Sequence, residues 1–204
     1  MRKKIVAVVA LVALAGLVVF AMILKQRERE DREQQLTSYY GIKLGASKNE
    51  VGYALGYPAE VQEPFRPDPA RGGMQVSNSL KLTKAGDVEG TPSSLPGGSA
   101  LKKYDEWHYK FGPDRVTVRF DPTDGTAMSV ICTKEGGLWG SKCRRILGVS
   151  NGSSEADVLN ALGTPEDQKL TLIWKTMAYP SLGLTLLLTK GRVYSIGKTL
   201  PNRS

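Results

Sequence analysis

Apolar and polar positions change rhythm several times along the chain. Ile5 to Leu24 is an unbroken apolar run of twenty residues, about the length that crosses a hydrocarbon layer as a helix. Lys25 to Gln35 then mixes bases and acids that sum to zero, with Glu28 four residues before Arg32, the spacing of a weak helical surface pair. Further on the apolar positions fall at helical spacing: Val51, Ala54 and Leu55 follow Ser47, and Gly56 and Pro58 close the segment. A serine start, one apolar stripe and a glycine-proline stop predict a helix of about two turns. Three β-branched and aromatic runs come after it, Glu106 to Phe111, Arg115 to Phe120 and Ala127 to Thr133; in the second, Val116, Val118 and Phe120 alternate with Arg115, Thr117 and Arg119. Period-two alternation of this kind predicts strands with one covered face and one wet face.

The same order of signals then recurs. Gly41 to Pro58 superposes on Gly148 to Pro165 without a gap, matching Gly45, Ser47, Val51, Leu55, Gly56 and Pro58 to Gly152, Ser154, Val158, Leu162, Gly163 and Pro165. Glu50 and Asp157 each stand three residues after the capping serine, the capping-box distance. Thr171 to Tyr179, Leu182 to Leu188 and Arg192 to Ile196 supply three more strand-like runs, and Trp107 and Trp174 open the first strand of each set. Gln34 to Tyr40 and Ser141 to Leu147 are read as a first helix for each copy. The fold class that follows is α+β: an N-terminal transmembrane helix, then two tandem units, each of short helices packed on a three-stranded antiparallel sheet. The expected boundaries are a signal-anchor helix over 1–24, a charged juxtamembrane helix or linker over 25–35, and a first unit over 36–133 holding an inserted loop at 59–103. A join over 134–140 and a second unit over 141–200 complete it. The inserted loop is rich in proline and glycine, reads either as solvated linker or as a partner-binding flap, and allows a hairpin around Gln75 to Thr83.

These residues carry a family likeness. Gly45, Val51 and the Ala54-Leu55-Gly56-x-Pro58 helix end, followed by Trp107-His108-Tyr109 and a strand pair closing on Gly125, resemble the SmpA/OmlA (BamE-like) outer-membrane assembly family. The tandem arrangement is similar to that of the β-lactamase inhibitor protein. The resemblance implies two helices on a three-stranded sheet in each unit, a role beside a machine that inserts barrels into the outer membrane, and no catalytic residues to carry over.

Charge and chemistry refine this reading. A net charge of +8 has no basic-aromatic motif behind it, which argues against nucleic acid and for attraction to anionic surfaces. The short basic start, Arg2-Lys3-Lys4, ahead of the apolar run reads as an export signal; a cleavable signal peptide ending near Ala13-x-Ala15 is the rival to an uncleaved anchor. The expected location is the inner membrane, single-pass, with the C-terminal region periplasmic. An even pair of cysteines, Cys132 and Cys143, favours a disulfide in an exported chain, the alternative being two buried free thiols. His108 stands alone as a histidine, Asp121 and Asp124 flank Pro122 and Gly125 as turn residues do, and the two cysteines with one histidine lack zinc spacing. No catalytic, cofactor or metal site is therefore expected. Trp139, in the glycine-rich join, is a possible partner contact. The functional expectation is a membrane-anchored envelope scaffold or protein-protein interaction module. An inhibitor-like protein binding an envelope enzyme is the first alternative, and a cell-wall hydrolase, whose carboxylates no motif identifies and which loss of turnover on changing Asp121, Asp124 or Glu106 would support, the second.

Overall fold

The computed structural model describes residues 2–62, 79–81, 101, 103–135, 141 and 143–200, with side chains from Gly16 onward except at 79–81. Two compact units make up the chain, Met1–Leu36 and Thr37–Ser204. The first is a helix, α1, spanning Arg2–Thr37. Its described side chains are apolar from Gly16 to Leu24 and mixed-charge from Lys25, with Gln26 Nε2 donating to Glu30 Oε1 at 3.0 Å. Among the described residues no helix is long and apolar enough to cross a membrane. Nine apolar residues reach only about 13 Å along a helix, against about 30 Å of hydrocarbon; the remainder of the predicted run lies outside the described side chains. The transmembrane signal anchor, and with it the single-pass inner-membrane location with a periplasmic C-terminal region, is withdrawn.

The second unit runs β1 (Ser38–Tyr39), β2 (Ile42–Lys43), α2 (Lys48–Leu55), β3 (Glu60–Gln62), β4 (Ser79–Lys81), β5 (Glu106–Phe111), β6 (Asp114–Phe120), β7 (Ala127–Lys134), α3 (Glu155–Leu162), β8 (Asp167–Leu170), β9 (Trp174–Tyr179), β10 (Leu184–Thr189) and β11 (Arg192–Thr199). Both short helices are capped as the spacing requires. Ser47 accepts from the Glu50 amide while the Glu50 carboxylate takes the Ser47 amide, and Ser154 and Asp157 repeat the arrangement. Each ends at a glycine of positive φ, Gly56 at 78° and Gly163 at 79°. The buried stripe is narrower than the spacing suggests, because Val51 and Val158 are fully buried whereas Ala54 and Ala161 stay exposed.

Neither first helix forms over its expected span: residues 34–37 are the end of α1 with 38–40 outside it, and the described residues of 141–147 are not helical. Tyr40 and Gly41 adopt φ of 56° and 78°, and Leu147 and Gly148 adopt 48° and 86°, two left-handed residues in succession, which suits a tight hairpin. β1 pairs with β2 around the first turn, and Ile146 and Val149 exchange both backbone hydrogen bonds at 2.9 Å around the second. A left-handed Tyr40 could not be read from its residue type, because non-glycine residues seldom occupy that region.

The larger correction concerns the sheet. In place of two separate three-stranded sheets, the described residues form one antiparallel sheet of nine strands, ordered β4-β3-β5-β6-β7-β11-β10-β9-β8. The last strands of the two repeats, β7 and β11, pair directly from Ser129↔Thr199 to Thr133↔Ser195. Alternation shows which side chains share a face but not which edges meet, and two exposed edges with apolar faces on the same side are complementary. The repeats are thereby related by a local two-fold: β3, β5, β6 and β7 answer to β8, β9, β10 and β11. Matching of registers makes Val130 equivalent to Ile196, Cys132 to Lys198, and Ile131 to Gly197. Ile131 and Gly197 also face each other, so the axis passes between them. A Cβ on Gly197 would lie 2.4 Å from Val130 O and 2.6 Å from Ile131 Cα; the seam closes because one of its two central residues has no side chain.

Both helices lie on one face of this sheet, over a single hydrophobic cluster that joins Val51, Trp107, Val116, Val118 and Val130 to Val158, Met177, Leu186 and Ile196. Cys132 and Cys143 are disulfide-bonded, with Cα atoms 5.8 Å apart. The bond ties β7 to the segment leading into the second repeat. Of the inserted loop at 59–103, β3 and β4 form an antiparallel pair at the sheet border; the remainder of the suggested hairpin at 75–83 lies outside the described residues, as does Trp139.

Candidate functional site

The face away from the helices differs from one repeat to the other. Over β5 and β6 it is charged and internally paired. Glu106 and Arg119 sit directly opposite each other, with Arg119 Nε 2.6 Å from Glu106 Oε2, and Arg115 Nε lies 2.5 Å from Glu135 Oε1. His108 is buried among them, its Nδ1 3.0 Å from Thr117 Oγ1 and its Nε2 3.4 Å from both Gln62 Oε1 and Glu106 Oε1. Burial pushes the imidazole below its ordinary pKa, with the Glu106 carboxylate opposing the shift. A neutral ring engaged at both nitrogens links β3, β5 and β6 as a structural element. Over β10 and β11 the same face carries hydroxyls: Thr185 and Thr199 are 2.8 Å apart, and Ser195 lies 3.1 Å from Thr133 of the adjoining β7.

Asp121 and Asp124 are turn residues. Asp121 Oδ1 accepts the Thr123 amide at 2.7 Å, and Asp124 Oδ1 accepts the Thr126 amide and hydroxyl. Beside them a polar cleft of about 540 Å³ opens at the start of α2. Its one buried cation, Lys48, is held by Asp105 at 2.9 Å. Asp114 lies near the two cysteines, but their sulfurs are bonded to each other, so neither can serve as a thiolate ligand. The repeat-motif residues, Gly45, Ser47, Val51, Leu55, Gly56 and Pro58 with Gly152, Ser154, Val158, Leu162, Gly163 and Pro165, hold the helices to the sheet. Gly45 and Gly152 donate to Ala127 O and Val193 O, each at 2.8 Å.

The exposed apolar surface gathers elsewhere. Thr171 closes a tight β8–β9 hairpin by donating its amide to Trp174 O at 2.9 Å, while its hydroxyl also reaches Trp174 O and receives the Trp174 amide. The hairpin presents Leu170 (78% exposed), Leu172 (fully exposed), Ile173 (67%) and Trp174 (46%) to solvent. Trp107 and Trp174, which both open a strand, are therefore not counterparts. Register matches Trp107 to Met177, and both of those are fully buried. At the same end of the sheet Trp174 lies opposite Thr189, and Thr189 opposite Arg192. A recess of about 580 Å³ there is lined by Lys134, Lys190 and Arg192 together with Thr189, Val193 and Tyr194. A hydrophobic finger thus stands beside a cationic recess. The sequence signal for the finger is the stretch Leu170 to Trp174, which reads equally well as the start of a buried strand.

No family description matches the chain, and no curated relative does. One solved structure is similar: a DUF4309 family protein (YjgB) from Bacillus subtilis, with 11% sequence identity and a TM-score of 0.46 over 83% of this chain and 93% of that one. The expected SmpA/OmlA (BamE-like) assignment, and the two-unit arrangement of the β-lactamase inhibitor protein with it, has no support among these matches and is withdrawn. Its motif was carried by glycines, a serine and a proline that specify a capped helix, and such a helix is compatible with more than one sheet.

Proposed function

We propose that this protein is a protein-binding module, and that its contact surface is the end of the sheet built from the β8–β9 finger and the basic recess beside it. The observation that carries the reading is the run Leu170, Leu172, Ile173 and Trp174, held in solvent by a tight, hydrogen-bonded turn. Contiguous exposed apolar side chains on a rigid element are costly in water and mark contact sites, and tryptophan is enriched where binding energy concentrates. Lys134, Lys190 and Arg192 direct the choice toward a partner with an apolar socket and an acidic rim. The disulfide suits a compartment that sustains such bonds.

A photo-crosslinking residue at position 172, compared with one at Lys110 on the charged half, tests the proposal in intact cells. Position 172 should give one discrete adduct that is lost with Ile173→Asp and weakened by Lys190→Glu with Arg192→Glu, whereas position 110 should give none. Equal labelling at both positions, or an adduct indifferent to Ile173→Asp, would sink it.

A further inference from the structure

The nine-stranded sheet ends on β8, and the local two-fold shows what is unusual about that border. Its counterpart in the first repeat, β3, is paired on its outer side by β4 over Glu60↔Lys81, Val61↔Leu80 and Gln62↔Ser79. Among the described residues β8 has no strand in the equivalent place, and all four of its residues are exposed. We propose that β8 is the interface with a second copy of this chain, the two β8 strands pairing antiparallel with Gln168 opposite Gln168.

The register follows from the hairpin. Thr171 donates to Trp174 across the turn, and the pairing continues as Leu170↔Lys175, Lys169↔Thr176, Gln168↔Met177 and Asp167↔Ala178. Hydrogen-bonded and non-hydrogen-bonded pairs alternate in an antiparallel ladder. Thr171, Lys169 and Asp167 therefore spend their backbone groups on β9, while Leu170 and Gln168 turn theirs outward. A two-fold through Gln168 lets each copy donate its Gln168 amide to the Gln168 carbonyl of the other. The flanking positions are then the close, non-hydrogen-bonded pairs, with α-carbons about 4.5 Å apart. They set Asp167 of each copy opposite Lys169 of the other, twice by symmetry, and opposite charges directly across a ladder are favourable. A lysine on an exposed edge strand ordinarily guards it against pairing. Here an aspartate two residues away makes the same strand complementary to itself. The pairing also brings the exposed Leu170 against the second copy. It shares Leu170 with the finger but rests on the outward backbone of β8 and on Asp167 and Lys169, none of which the proposed function uses, so the two are tested separately.

The test places a cysteine at Gln168 in the full chain, where Cys132 and Cys143 are already bonded to each other, and treats it with a short bis-maleimide. Crosslinked pairs should form in the otherwise unaltered chain. They should be lost with Asp167→Lys, which sets lysine against lysine, and with Lys169→Asp, which sets aspartate against aspartate. Mixing those two variants should restore them, because each then faces its opposite, and so should the double exchange Asp167→Lys with Lys169→Asp in one chain. Restoration also shows that the single variants fold. Crosslinking that persists in either single variant, or that fails in the unaltered background up to the solubility limit, overturns the proposal. The same holds for single variants that lose crosslinking without recovery on mixing.

Discussion

The first repeat and the second solve the same packing problem with different chemistry at equivalent positions. Where the first has Cys132, tied to Cys143, the second has Lys198, buried and donating its ammonium to Leu182 O at 2.6 Å. The buried His108 has Ala178 as its equivalent in the second repeat, and Ile131 has Gly197. The backbone devices, by contrast, are shared: the two left-handed turn residues, the capping box and the positive-φ helix stop all occur twice. A duplicated fold keeps what the main chain requires, whereas side chains are free to diverge wherever a different interaction fills the same space. At the axis the divergence follows from the close seam, which leaves no room for a Cβ at position 197 beside Ile131.

That contrast can be broken most severely at the axis. Gly197→Val should cost about 3 kcal/mol or more, since its branched side chain would have to enter β7, and the chain should unfold at a much lower temperature. A denaturation curve unchanged by Gly197→Val would refute the close seam. Removing the disulfide through Cys132→Ser with Cys143→Ser should cost about 2 to 3 kcal/mol in the loop-entropy account, measured as a lower denaturant midpoint at an unchanged slope. Ser47→Ala and Ser154→Ala should each lose about 1 kcal/mol. Near-equal losses would sharpen the claim that the caps do the same work in both repeats, and strongly unequal ones would break it.

The smallest expected effect is with pH. Burial lowers the folded-state pKa of His108, so the native state favours the neutral ring. Its stabilising contribution is intact above the ordinary histidine pKa of about 6.5, declines as pH falls below it, and is gone once pH passes the depressed folded value. Comparing His108→Ala with the parent chain should show a shallower loss of stability between neutral and mildly acidic pH, because position 108 would then match Ala178. Identical pH profiles would show that the ring does not titrate with folding.

The helices and most strands were legible because their signals are local. Ser47 with Glu50, and Ser154 with Asp157, fix a helix start within four residues, and alternation along Arg115 to Phe120 marks a half-covered strand. The single sheet was not legible, because whether β7 meets β11 depends on contacts between residues far apart in the chain and on the missing side chain of Gly197. The hairpins at Tyr40 and Leu147 were hidden for a different reason: neither residue type announces a left-handed backbone. At the candidate site the difficulty was exposure. Leu170, Leu172, Ile173 and Trp174 have the composition of a core strand, but Leu170 lies on the border strand β8 and Leu172 and Ile173 form the tip of the turn into β9, which leaves them in solvent.

The order in which strands join the sheet has a consequence for biogenesis. β11 follows every other strand in the chain yet lies in the interior of the sheet, so a nascent polypeptide holds two half-sheets apart until that last strand emerges. The link between Cys132 and Cys143 can form before then, since both lie upstream of it. It would keep β7 near the start of the second repeat while its companion is still being made, and so trim the loop that β11 must close.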